Sequence, residues 1–155
     1  MARGPTQTPR ITNKKARHDF EVLETVEAGI ALSGCEVKSL RAGKASIEES
    51  YIVIRDGETY LIGCNISPYE NASYGQVKPT RERKLLLHRR QIRKWQTKVT
   101  QRGLTIVPLE VYFSERGIAK LSIALVRGKT HGDKRADLKK REHTRDMERA
   151  MRRRR

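Results

Sequence analysis

Alternating apolar and polar residues mark the first predicted strands of this chain. Residues 20–29 mix the two classes and predict a strand that ends near Gly29. Residues 51–55 and 59–63 are rich in β-branched and aromatic side chains, and the Asp56-Gly57 pair between them is typical of a type I′ turn. These two stretches therefore predict a β-hairpin.

A second hairpin is predicted further along the chain. Residues 104–113 and 118–126 alternate apolar and polar positions, and Glu115-Arg116-Gly117 supplies the turn between them. Pro108 has no backbone N–H to donate to a neighbouring strand. We therefore expect Pro108 at a sheet edge or at a β-bulge.

Two other stretches follow helical spacing. Residues 35–42 place their apolar side chains on one face and predict a short helix that ends at Gly43. Residues 80–102 predict the longest helix of the folded part, in two pieces that meet near His88, with Gly103 as its C-terminal cap. Residues 67–79 have turn residues without a period and predict a long loop.

The elements add up to a mainly β fold with some α-helix. Five or six strands are expected to form a small barrel with two or three helices around it. Strand-rich barrels of this size commonly present loops and one open face to oligonucleotides. Residues 1–12 are polar, contain Pro5 and Pro9, and are expected to be disordered.

The end of the chain is strongly basic. Residues 127–155 contain 13 Lys/Arg and five Asp/Glu, a net charge of +8, which is half of the formal +16 of the whole chain. Few apolar residues are available there to offset the entropy of ordering. The helix formers and the Asp137–Arg141 and Glu148–Arg152 pairs favour a helix once a polyanion is bound. The alternative is a solubilising tail without a partner.

Charge and composition narrow the class of partner. A pI near 10.4 indicates an anionic partner, either RNA, DNA or a membrane surface. The membrane is the weakest of these, because no apolar run approaches the ~18 residues of a spanning helix and the first residues lack the apolar block of a signal peptide. Cys35 and Cys64 are expected to be reduced residues of a cytosolic core.

Catalytic patterns are missing from the sequence. His18 precedes Asp19, but adjacent residues on a strand would point to opposite faces. The Glu48-Glu49 pair is more typical of a solvated surface than of an active site. The histidines have no metal-ligand spacing, and no glycine-rich phosphate loop is present. We therefore expect no enzymatic activity, no metal and no cofactor.

Basic clusters recur along the folded part of the chain and are the better candidates for function. Contacts of this kind hold phosphates without reading sequence. Each cluster alone is typical of a solvated face. Their recurrence on separate elements, together with the basic tail, indicates that the partner is a nucleic acid. The clusters are Lys14-Lys15-Arg17, Lys38-Arg41-Lys44, Arg81-Arg83-Lys84 and Arg89-Arg90-Arg93-Lys94. Tyr69, Tyr74 and His131 are candidates for stacking on unpaired bases.

Several strings in fixed order resemble the small protein B (SsrA-binding protein) family. They are Asn13-Lys14-Lys15-Ala16, Glu27-Ala28-Gly29, residues 34–41 (GCEVKSLR), residues 80–88 (TRERKLLLH), Gly128-Lys129 and Asp133-Lys134-Arg135. The resemblance covers residues 13–149. It implies a closed antiparallel barrel of six strands, similar to an oligonucleotide-binding fold, over residues 13–127 with three helices, followed by a tail over residues 128–155 that is disordered in the free protein.

The resemblance also implies a function. Proteins of this family bind the tRNA-like domain of transfer-messenger RNA and bring it to stalled ribosomes for trans-translation, in which the stalled peptide is tagged and the ribosome is released. The tail is implied to reach the decoding centre of the small subunit, to enter the empty mRNA channel and to become helical there. We expect a cytoplasmic, monomeric protein with no membrane partner.

Site residues follow from the matching strings and from the basic clusters. The resemblance assigns RNA contact to Asn13, Lys14, Glu27, Arg41, Arg83, Lys84 and Lys120, and the clusters add Lys38, Lys44 and Arg81. Glu27 is expected to accept hydrogen bonds from a ribose or a base edge; the alternative is that it orients a nearby Arg. A second open function is a general RNA chaperone of the ribosome, and a third is an RNA-modifying enzyme.

The tail motif departs from the family at one position. Gly128, Lys129, Asp133, Lys134 and Arg135 match the family strings implied to contact the decoding centre. The family usually has His or Tyr immediately before the Asp-Lys-Arg, where it stacks on a base, whereas this chain has Gly132 with His131 one residue earlier. Either His131 takes over the stacking or that contact is lost.

Overall fold

The structure, a computed structural model, describes residues 8–153, which form nine strands and four helices. The strands are β1 (Ile11–Thr12), β2 (Phe20–Ile30), β3 (Ala45–Ser46), β4 (Tyr51–Arg55), β5 (Glu58–Ile62), β6 (Asn65–Ile66), β7 (Arg83–Leu86), β8 (Thr105–Phe113) and β9 (Ala119–Gly128). The helices are α1 (Lys14–Asp19), α2 (Gly34–Arg41), α3 (Arg89–Arg102) and α4 (His131–Arg153).

Six strands close into an antiparallel barrel. Their order is β8-β4-β5-β7-β2-β9, and β9 pairs back with β8, so the ring has no open edge. The short β1 adds to β8 outside the ring, and β3 pairs with β6 as a separate two-stranded sheet. The barrel predicted from the sequence is confirmed.

The barrel interior is aliphatic, and two helices close its ends. Leu61, Leu121 and Ile123 are 0% exposed inside the ring. Leu40 from α2 and Trp95 from α3 join the same core cluster. A second cluster lies outside the barrel, where α1 covers the outer faces of β8 and β9; it contains Ala16, Val107, Leu109, Ala124 and Val126, with Phe20 packed against it.

Helices α2 and α3 lie at opposite ends of the barrel. The α2 residue Arg41 donates to the carbonyl of Gly117, in the turn where β8 ends and β9 begins. The α3 residue Trp95 instead donates to Glu24, which pairs with Leu125 near the far end of β9. The side chains exposed on α2 and on α3 therefore belong to two separate surfaces.

Local turn chemistry accounts for the elements that the sequence predicted well. Asp56 and Gly57 both have positive φ, +52° and +74°, as a type I′ turn requires. The β8–β9 pairing shifts register between Pro108 and Glu110, so the bulge predicted at Pro108 is confirmed. Gly103 has φ +61° and ends α3 as predicted.

The helix predicted over residues 80–88 is wrong. Residues 83–86 form β7, which pairs with β5 and β2. Burial along β7 alternates, with Arg83 and Leu85 buried and Lys84 and Leu86 exposed, which is the period of a strand. A run of three leucines fits a helix and a strand equally well, and strand pairing with distant residues decides between them.

The two ends of the described chain both contain regular secondary structure. Ile11 and Thr12, expected in a disordered segment, form β1, and residues 1–7 of that segment lie outside the described residues. The tail, expected to be disordered in the free protein and helical on the ribosome, is helical here as α4, in addition to the three helices expected with the barrel. From Lys139 to Arg152 every side chain of α4 is exposed.

Candidate nucleic-acid interface

The α2 helix presents a cationic face because its caps and its buried side fix its orientation. Ser33 accepts a hydrogen bond from the Glu36 backbone N–H, and the Glu36 carboxylate accepts one from the Ser33 N–H, which together form a capping box. Leu40 is only 1% exposed and packs into the barrel. Lys38 and Arg41 consequently face solvent.

Aromatic rings of a loop and of β8, and a carbonyl of the β8–β9 turn, hold these cations in place. Lys38 lies 5.2 Å above the Tyr69 ring, and Arg41 lies 5.5 Å above the Phe113 ring. Arg41 also donates to the Gly117 carbonyl at 3.3 Å. The predicted contacts Lys38, Arg41 and Lys44 thus share one exposed surface, and Lys44 is paired with Glu70 of the loop at 3.1 Å.

Glu27 and Lys120 lie together on the outer face of the barrel. The Lys120 Nζ is 3.7 Å from Glu27 Oε1, and the Tyr112 hydroxyl donates to Glu27 Oε2. Burial and the hydrogen bond to Glu27 raise the pKa of Tyr112 to about 12. Tyr112 could not be found from the sequence, because β8 reaches Glu27 of β2 only through the pairing of both strands with β9. The Glu27 partners described are therefore Tyr112 and Lys120, and not the Arg considered as an alternative.

Lys84 is exposed on the outer face of β7. It pairs with Glu58 at 2.8 Å, and the hydrogen bond to Glu58 raises the pKa of Lys84. Leu86 lies two residues further on the same face and is 58% exposed, next to the backbone of Gly29. The helical interpretation of residues 80–88 concealed this exposed apolar side chain.

Arg83 is buried, which contradicts its prediction as an RNA contact. Its side chain is 0% exposed, and its guanidinium donates to Glu36, which is 4% exposed. The Arg81 side chain, 31% exposed, binds the same carboxylate at 2.7 Å. Burial raises the pKa of Glu36, but hydrogen bonds from Arg81 and Ser33 and the charge of Arg83 outweigh burial and lower the pKa overall.

Asn13 is also buried, so the structure gives it a structural role in place of the predicted RNA contact. It is 2% exposed, and its side-chain oxygen accepts from the Ala16 N–H, which caps α1. Its amide nitrogen donates to the carbonyls of Ile47 and Pro108 at 3.2 and 2.9 Å. Asn13 therefore fixes α1, on which the neighbouring Lys14 remains exposed and available.

Two crossed ion pairs fix the base of the tail against the barrel. Lys129, at the end of the barrel, pairs with Asp137 of α4. In the opposite sense, Lys134 of α4 lies 3.5 Å from the Asp19 carboxylate of α1. Lys129 lowers the pKa of Asp137, and a hydrogen bond with His18 together with the charge of Lys134 lowers the pKa of Asp19. These contacts hold only the first two turns of α4.

The helix α1 corrects the prediction for His18 and Asp19. These residues lie at the end of α1 and not on a strand, and His18 Nδ1 is 2.9 Å from Asp19 Oδ1. Their hydrogen bond belongs to the contacts that hold the tail. No group of three or more His, Cys, Asp or Glu side chains among the described residues is placed to hold a metal ion.

The remaining tail residues lie at the start of α4 and just before it. Gly128 ends β9, Gly132 is exposed in the first turn of α4, and Arg135 is exposed one turn later. The side chains of His131 and Asp133 lie outside the described part of the structure. None of the helices within residues 8–153 combines the length and hydropathy needed to span a membrane.

Comparison with known proteins identifies the family. The profile of the SmpB protein family matches residues 10–153. SsrA-binding proteins from Thermus thermophilus and Nostoc sp. are 54% and 56% identical, over 85% and 90% of this chain and 92% and 90% of their own lengths. A solved chain described under "tmRNA-SmpB: a journey to the center of the bacterial ribosome" is 53% identical with a TM-score of 0.66, and the match covers 82% of this chain and 92% of that one. The chain belongs to the SmpB protein family.

Proposed function

We propose that this protein binds the tRNA-like domain of transfer-messenger RNA and delivers it to stalled ribosomes for peptide tagging and ribosome release. Relatives named SsrA-binding proteins support the RNA partner, and the similarity to a chain from a tmRNA–SmpB structure supports the ribosomal setting. The ribosome as the place of action corresponds to the cytoplasm. In this proposal a single copy of the chain makes both contacts.

The observation that carries the proposal is the exposed cationic surface at the α2 end of the barrel. Lys38, Arg41 and Lys44 are fixed there by rings, a carbonyl and a carboxylate, so little side-chain entropy is lost when phosphates bind. Binding of these cations to RNA releases condensed counterions, which supplies affinity. Glu27 and Lys120 form an ion pair on the outer face of the barrel and take part in the same RNA contact in this proposal.

The tail is the second part of the proposed function. Helix α4 has 23 residues, and at about 1.5 Å per residue it reaches about 35 Å, far enough to enter a channel that the barrel cannot enter. Message and tail would exclude each other there, so occupation of the channel by the tail reports that the message is absent. In this proposal Lys134 and Arg135 contact the decoding centre together with Gly128, Lys129, His131, Gly132 and Asp133.

Two variants test the α2 surface and the tail separately. Truncation after Lys129 should leave affinity for transfer-messenger RNA within about twofold, because the truncated residues lie outside the α2 surface, but should abolish peptide tagging on stalled ribosomes. Arg41→Ala combined with Lys44→Ala should weaken RNA binding and lower the slope of log K against log salt by about 1.5. Arg90→Ala combined with Arg102→Ala removes the same charge from α3 and is the matched control.

Equal loss of RNA affinity and tagging on truncation would contradict the division between barrel and tail. Binding of random RNA as tightly as transfer-messenger RNA would contradict the proposed partner and favour a general RNA chaperone. Equal effects of the α2 and α3 variants on RNA affinity would show that total charge, and not the α2 surface, determines binding.

A further inference from the structure

Three adjacent strands bring Glu27, Tyr112 and Lys120 onto one patch of the outer barrel face. Tyr112 on β8 lies directly opposite Lys120 on β9, and Lys120 lies opposite Gly29 on β2. Side chains two residues apart on a strand share a face, so Glu27 lies on the face of Gly29, diagonal to Lys120. The patch therefore combines one carboxylate, one ammonium group and one phenol.

The Glu27 carboxylate is held by protein groups and still open to a ligand. Tyr112 donates its O–H to Oε2, and the Lys120 ammonium lies 3.7 Å from Oε1. The two oxygens of a carboxylate offer about four acceptor positions. Since the Glu27 side chain is 53% exposed, the unused positions face solvent.

The Tyr112 side chain, which donates to Glu27, also contacts Arg10. The Arg10 guanidinium lies 5.5 Å above the Tyr112 ring and 3.6 Å from the Glu110 carboxylate. The Tyr112 hydroxyl is protonated at neutral pH, as that of any tyrosine with a pKa of about 10 or above is, so it is a hydrogen-bond donor to Glu27. Arg10 and Tyr112 together reduce the number of orientations that Glu27 can adopt.

A fixed carboxylate on a cationic RNA surface favours selectivity over affinity. It repels phosphates, which supply affinity without discrimination between RNAs. It accepts hydrogen bonds from groups that phosphates lack, namely base N–H groups and ribose 2′-hydroxyls. A freely rotating carboxylate would lose part of this selectivity, because ordering it on binding costs entropy.

We propose that Tyr112 is a positioning residue for RNA selectivity: its hydroxyl fixes Glu27 to accept a hydrogen bond from a base or ribose donor of the bound RNA. This proposal rests on the proposed function, because it assumes that the outer face at Glu27 contacts RNA. It assigns to Tyr112 an effect on discrimination between RNAs, exerted through Glu27, and no contact with phosphate.

The test compares affinity for a transcript of the tRNA-like domain with affinity for polyuridine of equal length. Glu27→Gln should reduce the ratio of the two affinities about tenfold, the effect of one hydrogen bond to a charged group. Tyr112→Phe, which keeps the ring under Arg10, should reduce the ratio about three- to fivefold. The double variant should match Glu27→Gln alone, because Tyr112 acts through Glu27.

Three measurements guard against a merely structural effect. The salt slope of binding should be unchanged in Tyr112→Phe, since no phosphate contact is lost. Thermal melting should show that Tyr112→Phe is folded. Tyr51→Phe removes a phenol oxygen from an exposed position on β4 and should leave the affinity ratio unchanged.

The outcomes separate this proposal from the proposed function. If wild-type protein shows no preference for the transcript, the proposed function itself fails. If wild type prefers the transcript but Tyr112→Phe keeps the full preference, or if its effect multiplies with that of Glu27→Gln, only the role of Tyr112 is overturned. A 2′-fluoro transcript identifies the donor: loss of the Glu27-dependent preference points to ribose, and its retention points to a base.

Discussion

Replacing Arg83 with methionine tests whether this side chain supports the fold or contacts RNA. The guanidinium is fully buried and donates to Glu36. It also donates to the carbonyl oxygens of Cys64 and Pro79 at 2.9 Å and of Arg81 at 3.1 Å. Methionine can occupy the space of the Arg83 stem but donates nothing, so these oxygens each lose a donor.

The expected loss of stability follows from the contacts that remain. Removing one partner of a buried ion pair costs about 3–5 kcal/mol. Glu36 keeps two hydrogen bonds from Arg81, at 2.7 and 2.8 Å, so its charge stays paired. We therefore expect a loss of about 3 kcal/mol in the free energy of unfolding, at the low end of that range. At about 2–4 °C per kcal/mol for a domain of this size, the melting temperature should fall by about 6–12 °C.

Lys84→Met is the matched control, because Lys84 is the next residue on the same strand and points to the other face. Its ion pair with Glu58 is exposed, and losing it should cost less than about 1 kcal/mol. Urea denaturation measures both variants. RNA binding is then measured against salt concentration at a temperature where both are folded. Lys84→Met should lower the slope of log K against log salt concentration by about 0.7–0.9, whereas Arg83→Met should leave this slope unchanged.

The opposite pattern would refute this reasoning. If Arg83→Met unfolds within 1 kcal/mol of wild type and lowers the salt slope by about one phosphate contact, then Arg83 reaches the RNA and its burial among the carbonyls is not maintained in the complex. The assignment of Arg83 to the fold would then be withdrawn in favour of the surface contact predicted from the sequence.

Two substitutions and one hydrogen-exchange measurement test other parts of the structure. Hydrogen bonds from Lys98 and Trp95 lower the pKa of Glu24 to about 2. The ionised carboxylate therefore stabilises the fold fully above pH 4.5, and this contribution is lost as the pH falls towards 2. The loss in unfolding free energy caused by Glu24→Gln, measured in urea, should therefore be smaller at pH 3 than at pH 7. Gly63 has φ +79° and an added Cβ would lie 2.8 Å from the Glu49 carbonyl, so in thermal melts Gly63→Ala should cost at least about 1 kcal/mol more than Gly57→Ala, which meets open space. Hydrogen exchange of the free protein should show residues 139–152 nearly unprotected, because an exposed helix without packing is marginal; protection equal to that of α3 would contradict this.

Local chemistry explains which parts of the fold could be predicted. The Asp56-Gly57 turn and the cap at Gly103 depend on backbone preferences of the residues themselves, so the sequence alone is sufficient. The strand β7 depends instead on pairing with β2 and β5, which lie far away in the sequence. A leucine run contains no information about such partners, and the helical prediction failed there.

The same distinction holds for the candidate site. Lys38 and Arg41 could be assigned to a surface because helical spacing places them on a face of α2 other than that of the buried Leu40. Lys44 follows the end of α2 and could be assigned only as a member of the same basic cluster. Arg83 could not be recognised as buried, since its partner Glu36 is 47 residues away in sequence. An arginine among basic neighbours is read as a phosphate contact unless an acid from another element is known to neutralise it.

Carboxylates determine what each cationic group can do in this protein. Glu36 draws Arg81 and Arg83 into the fold, whereas Asp19 and Asp137 hold the base of the tail and leave residues 139–152 exposed. Positive charge alone would bind any polyanion. Because acids neutralise some cations and fix the position of others, the α2 surface and the exposed tail are two separate cationic regions, apart from the arginines exposed on α3. In the function proposed above, that separation lets one chain hold an RNA at the α2 surface and probe the message channel with the tail.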